Sequence, residues 1–529
     1  MRRQWYMGFG VIFLLLMLRA VVWGHAQWLP VLIVPLIVIW IYDLLQKKRT
    51  LLRNFPVLGH IRYILEFIRP EVQQYFVAAD DAERPYNREV RSIIYQRAKN
   101  VRDTIPFGTS QDILRDGYTW VLHSLAPKAP SEVTSRAWIG GPACKKPYLA
   151  SRLNVSAMSF GSLSANAIMA INLGAKLGGF AHNTGEGGIS PYHLQGGDLI
   201  FQIGTAYFGC RDLEGKFDPV LFAQEAGRDE VKMIEIKLSQ GAKPSHGGIL
   251  PAVKVTEEIA KIRRIKMGED VLSPAAHSAF DSPKGLLVFI QQLRELSGGK
   301  PVGFKLCIGR KEEFLGICKA MLELQILPDF ITVDGAEGGT GAAPLEFVNH
   351  IGEPLTDGLI FVRNALVGVG LRDKISIIAS GKIATGFDMV LRMAMGADLC
   401  QNARAMMMAV GCVQSKQCNA NTCPTGVTTQ NKRLQRGLVV DQKKLRAADY
   451  HRNTLHGFLE IVGAMGLTNP SDLTPDYIMQ RVSNHVAKPL SEIYHFLKPG
   501  QLLGPDIPAA YQPYWDRADA NRFEPASKK

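Results

Sequence analysis

The sequence has no compact run of lysine and arginine residues interleaved with aromatic residues, although its formal net charge is +13. The basic residues are spread along the chain, which argues against a nucleic-acid partner. No G-x-G-x-x-G motif follows a predicted strand and opens a helix, so the phosphate loop of an open dinucleotide-binding sheet is missing. With 47% hydrophobic and 21% charged residues, the composition is that of a globular protein rather than a disordered chain.

Two long apolar runs stand at the start of the chain, near residues 5–23 and 28–45, separated by the polar step His25–Gln27. Each is close to the roughly 17–25 residues that a helix needs to span a bilayer. Basic residues precede the first run and follow the second, while the connector is uncharged. The pattern predicts a transmembrane hairpin over residues 1–48, which places the catalytic part at the cytoplasmic face of the inner membrane. A cleaved signal peptide is the alternative for the first run.

The rest of the chain divides into three segments that differ in composition and in hydrophobic pattern. Residues 49–150 are polar and broken by prolines, which is typical of a lead-in that packs on the main body. From about residue 151 to 470, short apolar segments alternate with longer helical patterns, and residues 471–529 form a proline-rich extension that wraps the body or frays. The predicted strands are 153–158, 179–183, 233–238, 302–307, 330–335, 375–381 and 399–404. This alternation predicts an α/β fold with a parallel sheet, best closed as a (β/α)₈ TIM barrel; an open Rossmann-type sheet is the alternative.

Glycine-rich loops follow several predicted strands, at 183–188, 333–342 and 378–388. Barrel enzymes carry function at the C-terminal ends of their strands, and glycine loops there expose backbone N–H groups to phosphate. The alternative is that these glycines only make tight turns. The candidate phosphate ligands are Gly338, Gly339, Gly381, Lys382, Asn402 and Arg404.

Charged residues follow the predicted strand 233–238, within the segment IEIKLSQGAKPSHGG at 234–248. Lys237 lies in an apolar strand, where a lysine is costly to bury without an anionic partner, and a reduced flavin would supply one. A surface pair with Glu235 is the alternative. Lys243 and Arg263, with Glu186 nearby, have the charge to hold a dicarboxylate substrate.

Three of the eight cysteines, Cys412, Cys418 and Cys423, occur within the loop 411–427 at the spacing C-x₅-C-x₄-C. The spacing is neither that of a zinc ribbon nor that of a C-x-x-C redox pair. Three thiolates in one loop suit an iron–sulfur cluster with three cysteine ligands. Three buried thiols without a metal are the alternative.

Five motifs then point to one family: SAMSFGSLS (156–164), NTGEGG (183–188), KLSQGAKP (237–244), DGAEGGTGAAPL (334–345) and CVQSKQCNANTCPTGV (412–427). In order and spacing they resemble the FMN-binding synthase domain of glutamate synthases, from about residue 150 to 470. The resemblance implies a (β/α)₈ barrel that binds FMN and carries a [3Fe–4S] cluster on Cys412, Cys418 and Cys423.

The resemblance also implies a reaction. Electrons from a separate donor, such as a ferredoxin or a partner subunit, would enter the cluster and pass to FMN, which would reduce 2-iminoglutarate, formed from 2-oxoglutarate and ammonia, to glutamate. By resemblance, Lys243 and Arg263 bind the oxo acid, with Glu186 beside them. Ser159, Lys237 and Gln240 would face the flavin.

Departures from the family cluster around the substrate side of these motifs. No glutaminase domain precedes the synthase region, so ammonia would come from solution or from a partner. The family's GAKPGEGGQLP reads GAKPSHGGILP here, which places His246 and Ile249 where an acid and a glutamine are usual. Asn166 stands where an acid is usual, and His277 is retained in SPAAH. His246 has the chemistry of a general acid near neutral pH, with a structural histidine as the alternative.

Three interpretations remain open. The first is an anchored glutamate synthase-like enzyme. The second is an FMN/iron–sulfur oxidoreductase acting on a different oxo acid or amine, similar to N-methylglutamate-forming enzymes, which the SHGGILP loop favours. The third is a non-catalytic membrane electron relay, disfavoured by the charged residues around Lys237. A relative of inosine-monophosphate dehydrogenase with Cys423 as nucleophile would leave the other two loop cysteines without a use.

Overall fold

The computed structural model describes residues 29–101 and 104–525. The chain forms two compact units, of which the first ends at Arg88 and the second begins at Glu89. This division falls inside the segment predicted as a lead-in. The predicted domain boundaries at residues 48, 150 and 470 remain predictions.

The first unit is helical. The apolar run at 28–45 forms the helix Leu29–Leu45, which is followed by the helices Thr50–Asn54 and Gly59–Val72 and by a π-helical turn at Gln73–Val77. The first apolar run of the predicted hairpin lies outside the described residues. Across the parts of the chain that the structure describes, no helix combines the length and the apolar character needed to cross a membrane. The predicted transmembrane hairpin is therefore not shown.

Eight parallel strands close into a barrel in the second unit, which confirms the predicted α/β barrel fold. Each strand pairs with the next along the chain, and the last pairs with the first. The strands are β1 (Leu153–Val155), β2 (His182–Asn183), β3 (Leu199–Ile203), β4 (Val231–Lys237), β5 (Val302–Leu306), β6 (Phe330–Asp334), β7 (Ser376–Ser380) and β8 (Leu399–Asn402). Seven of them contain or overlap a predicted strand. The sequence prediction missed β3, a five-residue apolar segment bounded by glycines.

Helices surround the barrel and bury their apolar faces against it. Some of their N-termini are capped by side chains, as at Thr385, whose hydroxyl accepts from Asp388 N while the Asp388 carboxylate accepts from the Thr385 backbone. The helices of this unit are Ala165–Gly178, Pro219–Ala226, Glu257–Arg263, Pro283–Leu296, Lys311–Leu324, Leu345–His350, Leu355–Gly368, Gly386–Ala394, Arg404–Ala409, Lys432–Gln435 and Val440–Ala464, with Arg88–Ala98 before the barrel.

Short antiparallel strands complete the second unit. The C-terminal extension adds Ile478–Ser483 and Val486–Pro489 to a three-stranded sheet with Thr119–Val121. Two further pairs are Arg136–Ile139 with Tyr148–Ser151 and Ile249–Leu250 with Val271–Leu272. The extension also contains the short helices Leu490–Ile493 and Gln512–Arg517. Between them, His495 O and Tyr511 Oη accept hydrogen bonds from the Asn364 amide of a barrel helix (2.7 and 2.9 Å). The extension therefore wraps the barrel helices.

At the base of the barrel, where the strands begin, a buried ion pair has a full set of hydrogen-bond partners. Asp329 precedes β6, and its carboxylate accepts from Gly141 N (2.7 Å), from Val302 N (2.8 Å) and from Arg294 Nε (3.2 Å) and Nη2 (3.1 Å). Both side chains of this ion pair are almost fully buried. A buried ion pair requires such complete pairing, because each charge has lost its hydration.

Candidate active site

The opposite end of the barrel, which we call the mouth, brings together the acid and the bases predicted from sequence. Lys237 ends β4, and its Nζ lies 2.9 Å from Glu186 Oε1 in the loop after β2. Burial raises the pKa of Glu186, but Lys237, Lys243 and Arg263 outweigh it and hold that pKa below its usual value. The alternative of a surface pair between Lys237 and Glu235 is therefore wrong.

Glu235 instead points into the barrel interior, where it is fully buried. Its carboxylate accepts hydrogen bonds from Asn183 Nδ2 (2.7 Å), Gln202 Nε2 (2.7 Å) and Thr332 Oγ1 (2.6 Å). These donors come from β2, β3 and β6. The carboxylate thus ties one layer of the barrel together beneath the mouth.

Arg263 reaches the same place from the last residue of the helix Glu257–Arg263. Its Nη2 donates to Ser159 Oγ (3.2 Å) and to Phe160 O (2.9 Å), and its guanidinium carbon lies 5.2 Å from the centre of the Phe208 ring. Burial lowers the pKa of Arg263 to about 10, against the opposing effect of Glu186. Within the described part of the chain, its buried Nε has no hydrogen-bond partner.

Glycines line this ion cluster where a side chain would not fit. A Cβ at Gly248 would lie 2.5 Å from Glu186 Oε1, and one at Gly204 would lie 2.7 Å from Glu186 Oε2. A Cβ at Gly187 would lie 2.8 Å from Arg263 Nη2. These positions need glycine because charged side chains approach the backbone closely.

Lys243 lies in the loop after β4 and donates from Nζ to Ala342 O (2.8 Å) in the loop after β6. Burial, helped by repulsion from Lys237, lowers the pKa of Lys243 to about 8, while Glu186 opposes the shift. Gln240 precedes it, and the Gln240 carbonyl accepts from Lys243 N (3.2 Å). The loop therefore presents a buried ammonium that titrates close to neutral pH.

His246 is half-buried in the same loop. Its Nδ1 lies 2.9 Å from Gly247 O, and its ring packs edge-on against Phe347 at 5.1 Å between centres. A carbonyl only accepts, so Nδ1 carries the proton and the neutral ring has none on Nε2. Ile249 follows in a short strand and pairs with Leu272.

Asn166 lies elsewhere. Its side-chain amide donates to Gln435 O (3.1 Å) and Leu438 O (3.0 Å), which follow the cysteine loop. In the structure Asn166 therefore anchors a neighbouring backbone segment, and its place on the substrate side stays a prediction.

His277, retained in the SPAAH motif, supports Lys237. Its Nε2 lies 3.0 Å from Lys237 O and its Nδ1 lies 3.1 Å from Tyr207 Oη. Nε2 must therefore donate to the carbonyl, and Nδ1 accepts from the tyrosine hydroxyl. Burial lowers the pKa of His277 to about 4, so this neutral tautomer is fixed at physiological pH.

The predicted phosphate ligands converge on the loops after β6, β7 and β8. A Cβ at Gly339 would lie 2.6 Å from Arg404 Nε, and one at Gly381 would lie 3.2 Å from Gly335 N. Gly338 N donates to Gly335 O (2.8 Å), and Gly381 (φ +132°) and Lys382 (φ +54°) both lie in the positive-φ region. The three loops therefore form one glycine-rich rim.

Asn402 and Arg404 attach β8 to this rim. Asn402 Nδ2 donates to Tyr450 Oη (3.2 Å), which donates to Ala384 O (2.8 Å), and Arg404 Nη2 donates to Glu337 O. In the described residues, Asn402 Oδ1 and both amide atoms of Gln401 are buried without hydrogen-bond partners. Buried polar atoms of this kind require an explanation, and a bound polar group is one.

Sequence reasoning missed a second buried lysine at the mouth. Lys305 on β5 is the register partner of Lys237 on β4. Its Nζ lies 3.5 Å from Asp334 Oδ2 and within 3.5 Å of the hydroxyls of Ser156 and Ser380. The signal was present, because VGFKLC has the same lysine within an apolar strand that identified Lys237.

The cysteine loop is folded against the mouth. Cys423 is buried, Cys412 and Cys418 are half-buried, and the three thiols are close enough to perturb one another electrostatically. Burial raises the pKa of Cys412 to about 12, whereas hydrogen bonds from Thr425 and Thr428 outweigh burial and lower the pKa of Cys423. No three His, Cys, Asp or Glu side chains among the described residues are grouped to hold a single metal ion.

Lys254, which sequence reasoning also missed, connects the loop to the mouth. It is 2% exposed, and its Nζ donates to Ser162 O (2.6 Å) and to Cys418 O (3.3 Å). Burial lowers its pKa to about 8, while Cys418 and Cys423 oppose that shift. Gln430 Nε2 adds bonds to Gly161 O (3.1 Å) and Leu163 O (2.8 Å). The segment 159–164 thus contacts both Arg263 and the cysteine loop.

Comparisons with known proteins identify the family of the chain. The family described as a conserved region in glutamate synthase matches residues 127–468. The glutamate synthase large subunit-like protein YerD of Bacillus subtilis is 35% identical over 496 residues, which is 85% of this chain and 94% of that protein.

Two further relatives are matched only in part. The archaeal-type glutamate synthase [NADPH] of Thermotoga neapolitana is 35% identical over 59% of this chain and 59% of its own length. The ferredoxin-dependent glutamate synthase 2 of Synechocystis sp. is 33% identical over 54% of this chain and 19% of its own length. A solved structure of mandelate oxidase is similar with 12% identity and a TM-score of 0.40, covering 72% of this chain and 94% of that one.

The family match covers well over half of the chain, and the similarity to YerD covers nearly all of that relative. The chain therefore belongs to the glutamate synthase family.

Proposed function

We propose that the barrel reduces an imine of 2-oxoglutarate to glutamate, using FMN that is supplied with electrons through a [3Fe–4S] cluster. One observation carries this proposal. Lys237, Lys243, Arg263 and Glu186 meet in a glycine-lined mouth, next to a rim with unpartnered buried polar atoms. Family membership supports an oxidoreductase role in glutamate synthesis.

The residues of the rim fit FMN. Glycines 338, 339 and 381 let the loops after β6, β7 and β8 approach one another closely, so that their backbone N–H groups, with the cations of Lys382 and Arg404, would hold a phosphate. The buried amide atoms of Gln401 and Asn402 Oδ1 have the donors and acceptors that a flavin edge requires. Lys237, Ser159 and Gln240 would lie along the ring. When bound, FMN would supply the hydride, and the cluster would supply electrons one at a time.

The substrate would be a dicarboxylate because the mouth holds more cations than acids. Arg263 Nε, buried and unpartnered in the described chain, and the Lys243 ammonium would each bind a carboxylate. Glu186 would hold Lys237 and keep the cations of the mouth from repelling one another. His277 would fix the backbone carbonyl of Lys237 and with it the start of the loop.

Reduction of the imine carbon also requires a proton on the nitrogen. His246 is a candidate donor only in its charged form, since in the neutral ring Nδ1–H is engaged with Gly247 O. Lys243 is the second candidate, because its pKa of about 8 leaves a transferable proton on Nζ at neutral pH.

The cysteine loop would hold the cluster. Cys412, Cys418 and Cys423 would each supply one thiolate to it. The loop contains three non-glycine residues with positive φ, namely Gln414, Lys416 and Asn421. Strained backbone of this kind concentrates at functional sites.

A different oxo acid or amine is the second candidate, and Ile249 favours it. An isoleucine offers no hydrogen bond to a substrate carboxylate at the position where the family has a glutamine. The buried charges at the mouth do not favour a non-catalytic electron relay.

The electron donor would be a ferredoxin or a partner subunit, as the names of the relatives include both ferredoxin and NADPH. An ammonia-delivering partner and a location at the inner membrane also remain proposals.

The proposal is tested with anaerobically purified protein whose flavin has been reduced. Addition of 2-oxoglutarate and ammonium should reoxidise the flavin, with glutamate appearing in equal amount. A flavin that stays reduced with these substrates but is reoxidised by another oxo acid would establish the second candidate. Protein that binds no flavin when incubated with FMN would overturn both.

The cluster is tested separately. Cys418→Ser should abolish the paramagnetic signal of an oxidised [3Fe–4S] cluster while flavin absorbance is retained. Cys210→Ser is the matched control, because Cys210 is a buried thiol outside the loop. An unchanged signal in Cys418→Ser would contradict the assignment.

A further inference from the structure

The first unit exposes an apolar surface that the proposed reaction does not use. On the helix Gly59–Val72, five apolar residues repeat at helical spacing and form one stripe, and each is at least 40% exposed. We call these five residues, Ile61, Ile64, Leu65, Ile68 and Val72, the apolar stripe. A soluble helix normally buries such a stripe against a core.

The helix Leu29–Leu45 is apolar on more than one face. Seven of its residues are exposed hydrophobics, at positions 34, 36, 38, 39, 41, 42 and 45. Helices that are hydrophobic all round belong in a protein core or in a lipid environment. Both helices of the first unit therefore expose apolar side chains that a soluble protein would normally bury.

A buried carboxylate locks these helices together. Asp43 is fully buried, and its Oδ2 accepts from Val57 N (2.9 Å) and lies 2.9 Å from His60 Nε2. Val57 has a φ of +63°, a conformation unfavourable for a β-branched residue. The bond from its N–H to Asp43 stabilises that turn. Gly59 packs against Leu52, where a Cβ would lie 2.8 Å from Leu52 Cδ2. These contacts connect the two helices.

Basic residues border this surface. Between residues 29 and 77 the chain has six basic residues, Lys47, Lys48, Arg49, Arg53, Arg62 and Arg69, against three acidic ones. Arg62 and Glu66 form an ion pair (2.8 Å) beside the stripe. Aromatic side chains at Phe67 and Phe76 are more than 80% exposed. Apolar stripe, bordering cations and exposed aromatics are the combination found in helices that lie at a lipid interface.

We propose that the helices Leu29–Leu45 and Gly59–Val72 form one lipid-facing surface that binds the protein to a bilayer containing anionic lipids. The apolar stripe enters the boundary between headgroups and acyl chains, and the basic residues contact the anionic headgroups.

The test uses the full chain with vesicles of phosphatidylcholine alone and with 30% phosphatidylglycerol, separated by flotation. The protein should float with the anionic vesicles, and Ile64→Asp/Ile68→Asp should reduce the floating fraction at least fivefold. Lys216→Gln/Glu214→Gln, which removes an exposed ion pair of the second unit (3.0 Å) without changing net charge, should stay within twofold. Circular dichroism and the thermal midpoint check that both variants are folded.

A second measurement separates the stripe from the helix Leu29–Leu45. Leu65→Trp should add fluorescence that brominated acyl chains quench, and Glu66→Trp, on the charged side of the helix, should add fluorescence that they do not. Equal quenching of the two tryptophans would overturn the proposal, as would a wild-type protein that does not float. A lipid-free dimer that Ile64→Asp/Ile68→Asp converts to a monomer would also overturn it, by assigning the stripe to a second copy of the chain.

Discussion

The two ends of the barrel differ in how completely their buried polar groups are paired. At the base, the Asp329 carboxylate has four hydrogen bonds, and its partner Arg294 also donates to Leu327 O and Gln291 Oε1. At the mouth, Arg263 has one unpartnered nitrogen among the described residues, and Gln401 lacks partners for both amide atoms. The side chains compared at the two ends are all almost fully buried, so burial alone does not explain why only those at the mouth lack hydrogen-bond partners.

This difference indicates that the polar groups at the base find all their partners within the protein, whereas those at the mouth are arranged to bind a ligand. A buried polar group without a partner costs free energy, so an end of the barrel that retains several is stabilised when a ligand supplies the missing bonds. Substitutions at the base should therefore change the stability of the fold, whereas substitutions at the mouth should change binding and turnover.

The largest effect is expected at the base. Arg294→Met removes one half of a buried ion pair and leaves the Asp329 charge uncompensated, which should lower the free energy of unfolding by about 3–5 kcal/mol. Denaturant titration measures it. Lys284→Met on the same helix breaks the exposed pair with Glu323 and should cost at most about 1 kcal/mol. Equal losses in the two variants would remove the distinction between a saturated buried pair and an exposed one.

At the mouth, Arg263→Met should leave stability nearly unchanged but reduce kcat/KM for the oxo acid. The loss of one charge-assisted contact corresponds to about 1.5–3 kcal/mol, or roughly 10- to 150-fold. Arg264→Met is the matched control, because Arg264 is exposed and next in sequence. If Arg263→Met lowers the free energy of unfolding as much as Arg294→Met while kcat/KM of the folded variant is unchanged, the mouth is structural like the base.

The pH dependence sharpens the comparison further. Only the charged form of Lys243 attracts a carboxylate, and with a pKa of about 8 that form is complete below pH 7 and is lost as the pH rises through 8. The KM for the oxo acid should then rise up to about tenfold per pH unit above 8. Lys243→Arg should keep KM flat to pH 9.5. A flat profile in the unmodified protein would mean that another cation binds the carboxylate.

The smallest effect is expected from Ile249→Gln, which restores the glutamine usual in glutamate synthases. One added hydrogen bond contributes about 0.5–1.5 kcal/mol, so KM for 2-oxoglutarate should fall about threefold. Ile259→Gln, in the buried face of the following helix, should instead destabilise the fold. A rise in KM with Ile249→Gln would indicate that the natural substrate has an apolar group at this position.

Much of the fold was predictable because barrel strands are short apolar runs with glycines at their ends. The strand β3 has this pattern too, but its five residues lie close to glycines on both sides, and it is not among the predicted strands. The long segment between β2 and β4 should have indicated a missing strand, since the barrel closes only with eight.

The candidate site was predictable where a charge conflicted with its local pattern, as for Lys237, and where motifs resembled a family. The same conflict marks Lys305, which was overlooked. Gln401 and Lys254 could not be identified in this way, because their burial and their partners are set by contacts between segments distant in the chain. The partners of Asn166 could not be identified from sequence either, since they lie in a distant backbone segment that follows the cysteine loop.

One strand of the barrel has a consequence for its mechanics. The strand β2 is only two residues long and is in register with β1 through the single pair Val155–His182. Every other junction in the barrel has a longer ladder than this one, so the cylinder has a seam there. Amide protons beside the seam should exchange first under native conditions, and the loop that carries Glu186 hangs directly from it. Local opening of the β1–β2 junction would let Glu186 move away from Lys237 and return.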